Sequence, residues 1–293
     1  MKSKHRTKLP NVFKWSAILI FALIVTGVPA SHAGDGPSEQ TWNEIRFDLF
    51  GEDDIADGSH LMELKTPYRA EDAAIVPFEF TAKPGVRLES VAIVIDENPA
   101  PLAATFVFGP AAAEHAFETR FRINSYSHVR AVAKAEDGKL YMVKNFVKAS
   151  GGCSAPASKD MDQALASIGR MKFRQFSSPA ADNVPVQQAA SLQMSTGAHT
   201  GILQGQVMIR HPNYSGLQMD QVTMLYIPAH FVDEIEIRHG DDLVMRVEGG
   251  ISISEDPNIR FFYRAGGAQT LSVKAGDTEQ QIFQKSWPLE QGS

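Results

Sequence analysis

The sequence predicts an all-β fold of two immunoglobulin-like β-sandwich domains, joined by a flexible linker that contains a short helix. Three observations predict this fold. Short segments in which apolar and polar residues alternate recur at spacings of roughly ten residues in both halves of the chain. Turn formers such as Gly, Pro, Asn and Asp separate these segments. A stretch rich in Ser, Ala, Gln and Pro lies between the two halves and has the composition of a linker.

Residues 1–33 predict a cleaved signal peptide that exports the protein. Basic residues between Lys2 and Lys14 precede an apolar run over 18–25, and the small residues Ser31 and Ala33 follow it. A membrane anchor is the alternative, but the apolar stretch is short against the roughly 20 residues that a bilayer span needs. We therefore expect a mature protein outside the cytoplasm, with no membrane attachment after cleavage.

The mature chain is expected to be acidic. The whole chain has 28 basic and 34 acidic residues. The predicted signal peptide contains five of the basic residues and no acidic one, which leaves 23 against 34 and a net charge of −11. Such a surface repels phosphate backbones and anionic lipid heads, so nucleic acid is not expected as a partner.

The first domain is predicted over residues 34–149. The pattern over 42–65 is mixed and is compatible with a short helix or turn. After it, short alternating segments rich in Val, Ile, Phe and Tyr predict strands of a sandwich. The predicted strands are 74–81, 89–96, 103–108, 116–123, 128–135 and 140–148.

The β pattern stops at residues 150–157, which contain the single cysteine of the chain, Cys153. Gly151 and Gly152 precede it and only small residues follow, so its sequence neighbours offer no apolar cover. Exported proteins usually close their cysteines into disulfides, and a single cysteine cannot pair within its chain. This pattern predicts an exposed, functional thiol on a flexible arm. A buried and inert cysteine is the alternative.

Residues 158–196 predict a linker with a short helix, followed by a second domain over 197–293. Ser158 is a candidate N-cap, and Met161 and Leu165 share one helical face. The second domain again reads as short strands separated by turns, which predicts another sandwich of similar size. Its predicted strands are 203–210, 222–227, 231–239, 241–248, 259–263, 269–274 and 281–287.

Enzyme and metal hypotheses have less support from the sequence. A cysteine hydrolase needs a histidine near the thiol in the fold, and no histidine here has a local signature. The histidines weighed for this role are His60, His115, His128, His199, His211, His230 and His239. There is no CxxC or HxxxH pair, no nucleotide-binding motif and no GxSxG. The sequence thus predicts no catalytic residue, no metal site and no cofactor.

Motifs in both domains follow the order found in one known family. In the first domain they are residues 70–77, 96–101, 120–124, 129–133 and 151–153, and in the second 211–212, 227–231 and 252–258. These segments resemble the SoxY and SoxZ subunits of the thiosulfate-oxidation carrier, here fused into one chain. More narrowly, the chain resembles the fused SoxYZ-like carriers associated with quinoprotein dehydrogenases.

The resemblance implies a periplasmic, non-catalytic carrier without a cofactor of its own. Cys153 would hold the substrate covalently, and Gly151 and Gly152 would form the carrier arm. Periplasmic redox or hydrolytic enzymes would act on the carried group, and a quinoprotein dehydrogenase or a c-type cytochrome would be among these partners.

One departure from the family concerns the arm. In SoxY the arm ends the chain and has glycines on both sides of the cysteine, whereas here Ser154, Ala155 and Pro156 follow and the chain continues. A segment tethered at both ends reaches less far, and the carried group need not derive from thiosulfate. Two alternatives therefore stay open: a structural or docking subunit of a periplasmic quinoprotein dehydrogenase system, and a cysteine-dependent enzyme.

Overall fold

The computed structural model describes residues 39–156, 161–176 and 201–289, which are mostly strands. The predicted signal peptide, the N-cap Ser158 and most of the predicted linker lie outside these residues. The described helices are α1 (Gln40–Phe50) and α2 (Met161–Leu165). The strands are β1 (Ile55–Asp57), β2 (Met62–Lys65), β3 (Val76–Ala82), β4 (Leu88–Ile95), β5 (Leu102–Phe108), β6 (Ala112–Phe121), β7 (Ser127–Ala135), β8 (Leu140–Val147), β9 (Met171–Phe176), β10 (Ile202–Ile209), β11 (Val232–His239), β12 (Asp242–Gly249), β13 (Asn258–Arg264), β14 (Thr270–Asp277) and β15 (Ile282–Pro288). Among the described helices, none is long and apolar enough to cross a membrane.

The strands form two sheets that share one hydrophobic core. The nine-stranded sheet has the order β1-β8-β7-β4-β5-β12-β11-β14-β15, and the six-stranded sheet has the order β2-β3-β6-β13-β10-β9. Buried side chains of both sheets belong to the same core cluster. Between the sheets, Phe106 of β5 stacks on Phe117 of β6 with their ring centroids 3.7 Å apart. The all-β prediction is confirmed.

Strands of the two predicted domains pair directly with each other. Strands β5 and β12 pair antiparallel, from Phe108 opposite Met245 to Ala104 opposite Gly249. In the other sheet, β6 pairs with β13 in the same antiparallel manner. Each sheet therefore continues from the first half of the chain into the second, so that backbone hydrogen bonds as well as apolar contacts hold the halves together.

Helix α1 covers the outer face of the nine-stranded sheet near β4, β7 and β8. Trp42 on this helix is buried and packs with Val94 and Val132 in a second, smaller cluster. The Arg130 guanidinium lies 4.4 Å from the centre of the Trp42 ring and makes buried hydrogen bonds to the Asp96 carboxylate. The mixed pattern over 42–65 thus corresponds to most of helix α1 followed by the short strands β1 and β2.

Every predicted strand but one has a counterpart in the described residues. The exception is 222–227, which is an exposed turn. The Asp220 carboxylate accepts hydrogen bonds from the backbone N–H groups of Val222 and Thr223 there, and Met224 has a φ of 59°. Neither feature fits an extended strand, so this prediction is wrong. Conversely, the predicted linker contains β9, which pairs with β10.

Candidate functional site

Cys153 lies shortly after β8 and is fully buried, with 0% of its surface exposed. The prediction of an exposed thiol is therefore wrong for this conformation. The physical reason is that Ser215 and Gln218, from the second half of the chain, hydrogen-bond to residues 153 and 155. We call residues 150–156 the Cys153 segment. The sequence neighbours of Cys153 are small, as predicted, but cover arrives from the second half of the chain.

The two glycines before Cys153 make a tight turn against the end of β6. Gly151 has a φ of 79°, and its N–H donates to the carbonyl oxygen of Asn124 at 2.8 Å. The N–H of Gly152 donates to the carbonyl oxygen of Ile123, and a Cβ at Gly152 would lie 2.0 Å from the carbonyl oxygen of Ala73. Glycine is required at position 151 because of the positive φ, and at position 152 because there is no space for a side chain. In this conformation the glycines serve close packing, and their role as a carrier arm stays a prediction.

An irregular hairpin from the second half, residues 214–230, holds the other side of the Cys153 segment. The Ser215 hydroxyl donates a hydrogen bond to the carbonyl oxygen of Cys153, and the Gln218 side-chain amide donates to that of Ala155 at 2.8 Å. The Gln218 side-chain oxygen also accepts from the Ser215 N–H, which links the two donors. We call Ser215 and Gln218 the clasp. Both are buried, and both bind main-chain atoms of the segment.

A buried guanidinium lies beside the thiol. Arg122 is 1% exposed, and it donates to the carbonyl oxygens of Gly152 and Asn213 at 3.3 and 3.5 Å. Its Nε has no hydrogen-bond partner in the described part of the chain. Arg122 thus connects the glycine turn to Asn213, which immediately precedes the hairpin, and it brings a positive charge close to Cys153.

Burial and charge act on the thiol in opposite directions. Burial raises the pKa of Cys153 to about 11, and the nearby charge of Arg122 offsets only part of this effect. Because the thiolate is the reactive form, the thiol is protonated and unreactive at neutral pH in this closed conformation. Contact between Cys153 and another protein requires the segment or the residues that cover it to move.

The base of the 214–230 hairpin is fixed by two histidines and one carboxylate. Nε2 of His230 lies 2.9 Å, and Nε2 of His211 3.5 Å, from the same oxygen of Asp277. The Asn213 N–H donates to Nδ1 of His211, so the neutral His211 ring carries its hydrogen on Nε2. The backbone of His230 pairs with Tyr214 in both directions.

These three residues have the composition of a metal site, with ligand atoms within 4.8 Å of one another. The hydrogen on Nε2 of His211 occupies the lone pair that a cation would need. The arrangement is therefore that of an anchor, in which His230 is hydrogen-bonded to Asp277 and His211 packs beside them. Burial also lowers the pKa of His211 to about 4, which keeps the ring neutral. Sequence analysis missed this anchor because His211 and Asp277 are far apart in the chain.

The other candidate histidines are engaged elsewhere in the described structure. Nδ1 of His115 accepts a hydrogen bond from the Leu88 N–H, and a ring nitrogen of His239 contacts the carbonyl oxygen of Ala268. His60 and His128 pack against aromatic rings of β8, and His199 lies outside the described residues. The structure therefore adds no support to a cysteine–histidine catalytic pair.

Comparisons with known proteins match both halves of the chain. The SoxY family model, described as sulfur oxidation protein SoxY, matches residues 46–153. The SoxZ family model, described as sulphur oxidation protein SoxZ, matches residues 191–288. No curated protein matches the chain.

Two solved structures show weaker likeness. The sulfur carrier protein SoxY from Chlorobium limicola f thiosulfatophilum is 25% identical over 38% of this chain and 97% of its own, with a TM-score of 0.33. A beta-glycosidase from Bacteroides vulgatus is 7% identical over 78% of this chain and 24% of its own, with a TM-score of 0.22. These TM-scores are too low for any conclusion to be drawn from the two structures.

Proposed function

Because the chain is a fused SoxY–SoxZ protein, with one sulfur-oxidation domain of each kind in a single polypeptide, we propose that it is a periplasmic covalent carrier that holds a small sulfur species on Cys153. The protein itself would be non-catalytic, and separate enzymes would load and unload the group. The basic and apolar start of the chain supports export to the periplasm.

One observation carries the proposal: the SoxY match ends at Cys153 itself, and Ser215 of the SoxZ half hydrogen-bonds to the main chain of this residue. The SoxZ half touches the segment through two hydrogen bonds to main-chain carbonyls. Such bonds contribute about 1 kcal/mol each and do not depend on the side chain of Cys153. They can hold the segment closed and still let it leave, as a carrier requires.

The chemistry balances when the carried group is a sulfur oxyanion, and sulfite serves as the example. Hydrogensulfite and the Cys153 thiol together lose two electrons and two protons, and a sulfur–sulfur bond forms to give an S-sulfonate. A partner redox enzyme, such as a c-type cytochrome or a quinoprotein dehydrogenase, would accept the electrons. Hydrolysis with one water then cleaves this bond and returns the thiol and hydrogensulfate.

Arg122 supports an anionic cargo. Its guanidinium is buried next to the glycine turn, and its charge acts on Cys153. Buried guanidinium groups are most stable beside an anion, and an S-sulfonate carries one negative charge. Arg122 would therefore favour the loaded form of the segment over a neutral thiol.

A second candidate is a structural or docking subunit of a periplasmic quinoprotein dehydrogenase system. The burial of Cys153 favours this alternative, because an incidental cysteine needs no exposure. The two functions differ in whether the sulfur atom is needed.

A Cys153→Ser replacement in the native organism separates the two functions. The carrier predicts complete loss of the sulfur oxidation that depends on this protein, whereas a Ser154→Ala control keeps it. Full retention in the Cys153→Ser strain, with normal amounts of the protein, would favour the docking subunit.

A further inference from the structure

The tip of the 214–230 hairpin exposes several large apolar side chains together. Val222 is 91% exposed, Met224 64%, Leu225 67% and Tyr226 67%. Such side chains are normally scattered singly on a protein surface, and a contiguous apolar patch marks an interaction site. The sequence pattern that predicted a strand over 222–227 is thus explained by apolar residues that face solvent.

Hydrogen bonds within the hairpin fix the shape of this tip. Besides the Val222 and Thr223 N–H groups, the Thr223 hydroxyl donates to the Asp220 carboxylate. The Met224 N–H donates to the carbonyl oxygen of Asp220, and the Asp220 N–H donates to the carbonyl oxygen of Leu225, each at 2.9 Å. A surface that is ordered before binding loses less conformational entropy when a partner docks.

The same hairpin carries both the apolar tip and the clasp. Gln218, whose side chain holds Ala155, accepts a hydrogen bond at its backbone carbonyl from the Ile227 N–H at 2.9 Å. Its neighbour Met219 forms a β-bridge with Tyr226, which belongs to the exposed patch. A force on the tip therefore acts on the clasp through short backbone connections, while the His230 anchor holds the base.

We propose that the hairpin tip is the docking surface for the enzyme that processes the group on Cys153, and that docking draws Ser215 and Gln218 away from the Cys153 segment. This proposal rests on the carrier function. It gives the closed conformation a purpose, because Cys153 stays covered until the correct enzyme is present.

The charges near the arm indicate the chemistry of that partner. Glu71 and Asp72 are exposed, and both Asp72 and Glu255 lie close enough to act on the charge of Arg122. Residues 34–293 carry a net charge of −11, since 23 basic residues face 34 acidic ones. The partner that fits is an enzyme with an apolar cleft bordered by basic side chains. A second copy of this chain would bring the same negative charge and is disfavoured.

Photo-crosslinking in the native organism tests which protein docks. A benzoylphenylalanine at position 225 should capture an enzyme, whereas the same probe at Ile282, which is 66% exposed on β15, should not. Capture of a second copy of this chain, or no capture at position 225, would overturn the proposal.

The captured enzyme is then purified and added to the full chain, and the rate at which a bulky maleimide modifies Cys153 is measured. We expect the enzyme to raise this rate at least tenfold for the wild type and for Ile282→Ser, but not for a Leu225→Ser/Tyr226→Ser variant. Equal rates in all three proteins would overturn the proposal. Alkylation needs no carried group, so the maleimide experiment tests docking independently of the cargo. If mass spectrometry finds no carried group on Cys153 in cells, only the carrier function is overturned.

Discussion

The Ser215 hydroxyl donates a hydrogen bond to the carbonyl oxygen of Cys153, so that the SoxZ half holds the cysteine of the SoxY half in place. Because the two halves belong to one chain, this contact forms within one molecule. Under the proposed carrier function, the burial of Cys153 and its raised pKa describe a closed state, and they lead to predictions about how that state opens.

Removal of the clasp should release the thiol. A Ser215→Ala/Gln218→Ala variant loses both clasp hydrogen bonds to the Cys153 segment, which contribute about 1 kcal/mol each, and this raises the open fraction about 30-fold. The rate of Cys153 modification by a bulky maleimide should rise by the same factor. Gln221→Ala is the control and should react like the wild type, because this side chain lies in the same hairpin but donates to the nearby Met219 carbonyl oxygen. An unchanged rate in the double variant would show that the clasp does not close the site.

Gly152→Ala should also open the segment. The new methyl group would lie 2.0 Å from the carbonyl oxygen of Ala73, which is backbone and cannot rotate away. We expect faster maleimide modification than in Gly201→Ala, where a Cβ meets nothing within 4 Å. Thermal denaturation checks that both variants stay folded. If Gly152→Ala protects Cys153 as well as the wild type does, the packing described for the glycine turn is incorrect.

The reactivity of Cys153 should depend on pH in an unusual way. Burial raises its pKa to about 11, above the ordinary thiol value. A group with a raised pKa stabilises the closed form fully below the ordinary value, and this contribution is lost as the pH rises toward about 11. Iodoacetamide rates for the wild type should therefore keep rising above pH 9, whereas the clasp variant should level off near its ordinary pKa of about 8.5. Identical profiles would contradict the burial of the thiol.

Arg122 should favour an anionic group on Cys153. A charged hydrogen bond contributes about 1.5–3 kcal/mol, so Arg122→Gln should lower the equilibrium yield of S-sulfonate about tenfold or more. The yield is measured by intact mass after incubation with sulfite and tetrathionate. Arg122→Lys should recover part of the loss. Arg120→Gln, two residues earlier near the end of β6, is the matched control, and a loss of equal size there would assign the effect to general charge.

The strands could be predicted from the sequence because alternation is a local property. The pairing of β5 with β12 and of β6 with β13 could not, since register between distant strands leaves no local signal. The pattern over 222–227 was misleading for a related reason. Its apolar residues look like a strand, and only the Asp220 hydrogen bonds and the left-handed Met224 show that they form an exposed turn.

The site was predicted in part. Gly151, Gly152 and Cys153 stand out in the sequence, and the SoxY match ends at the cysteine. The clasp residues Ser215 and Gln218 could not be identified from the sequence. Serine and glutamine are common in loops, and the partners of these two residues are more than sixty residues away. Burial by a distant segment cannot be deduced from the small neighbours of a cysteine.

The most direct test of the carrier function is the intact mass of the protein, freshly isolated from cells that oxidise a reduced sulfur compound. We predict an added sulfur-containing mass that maps to Cys153 and disappears on treatment with a thiol reductant. Ser154→Ala should carry the same mass, and Cys153→Ser should carry none. A wild-type protein with a free Cys153 under these conditions, before and after reduction, would contradict the proposed function.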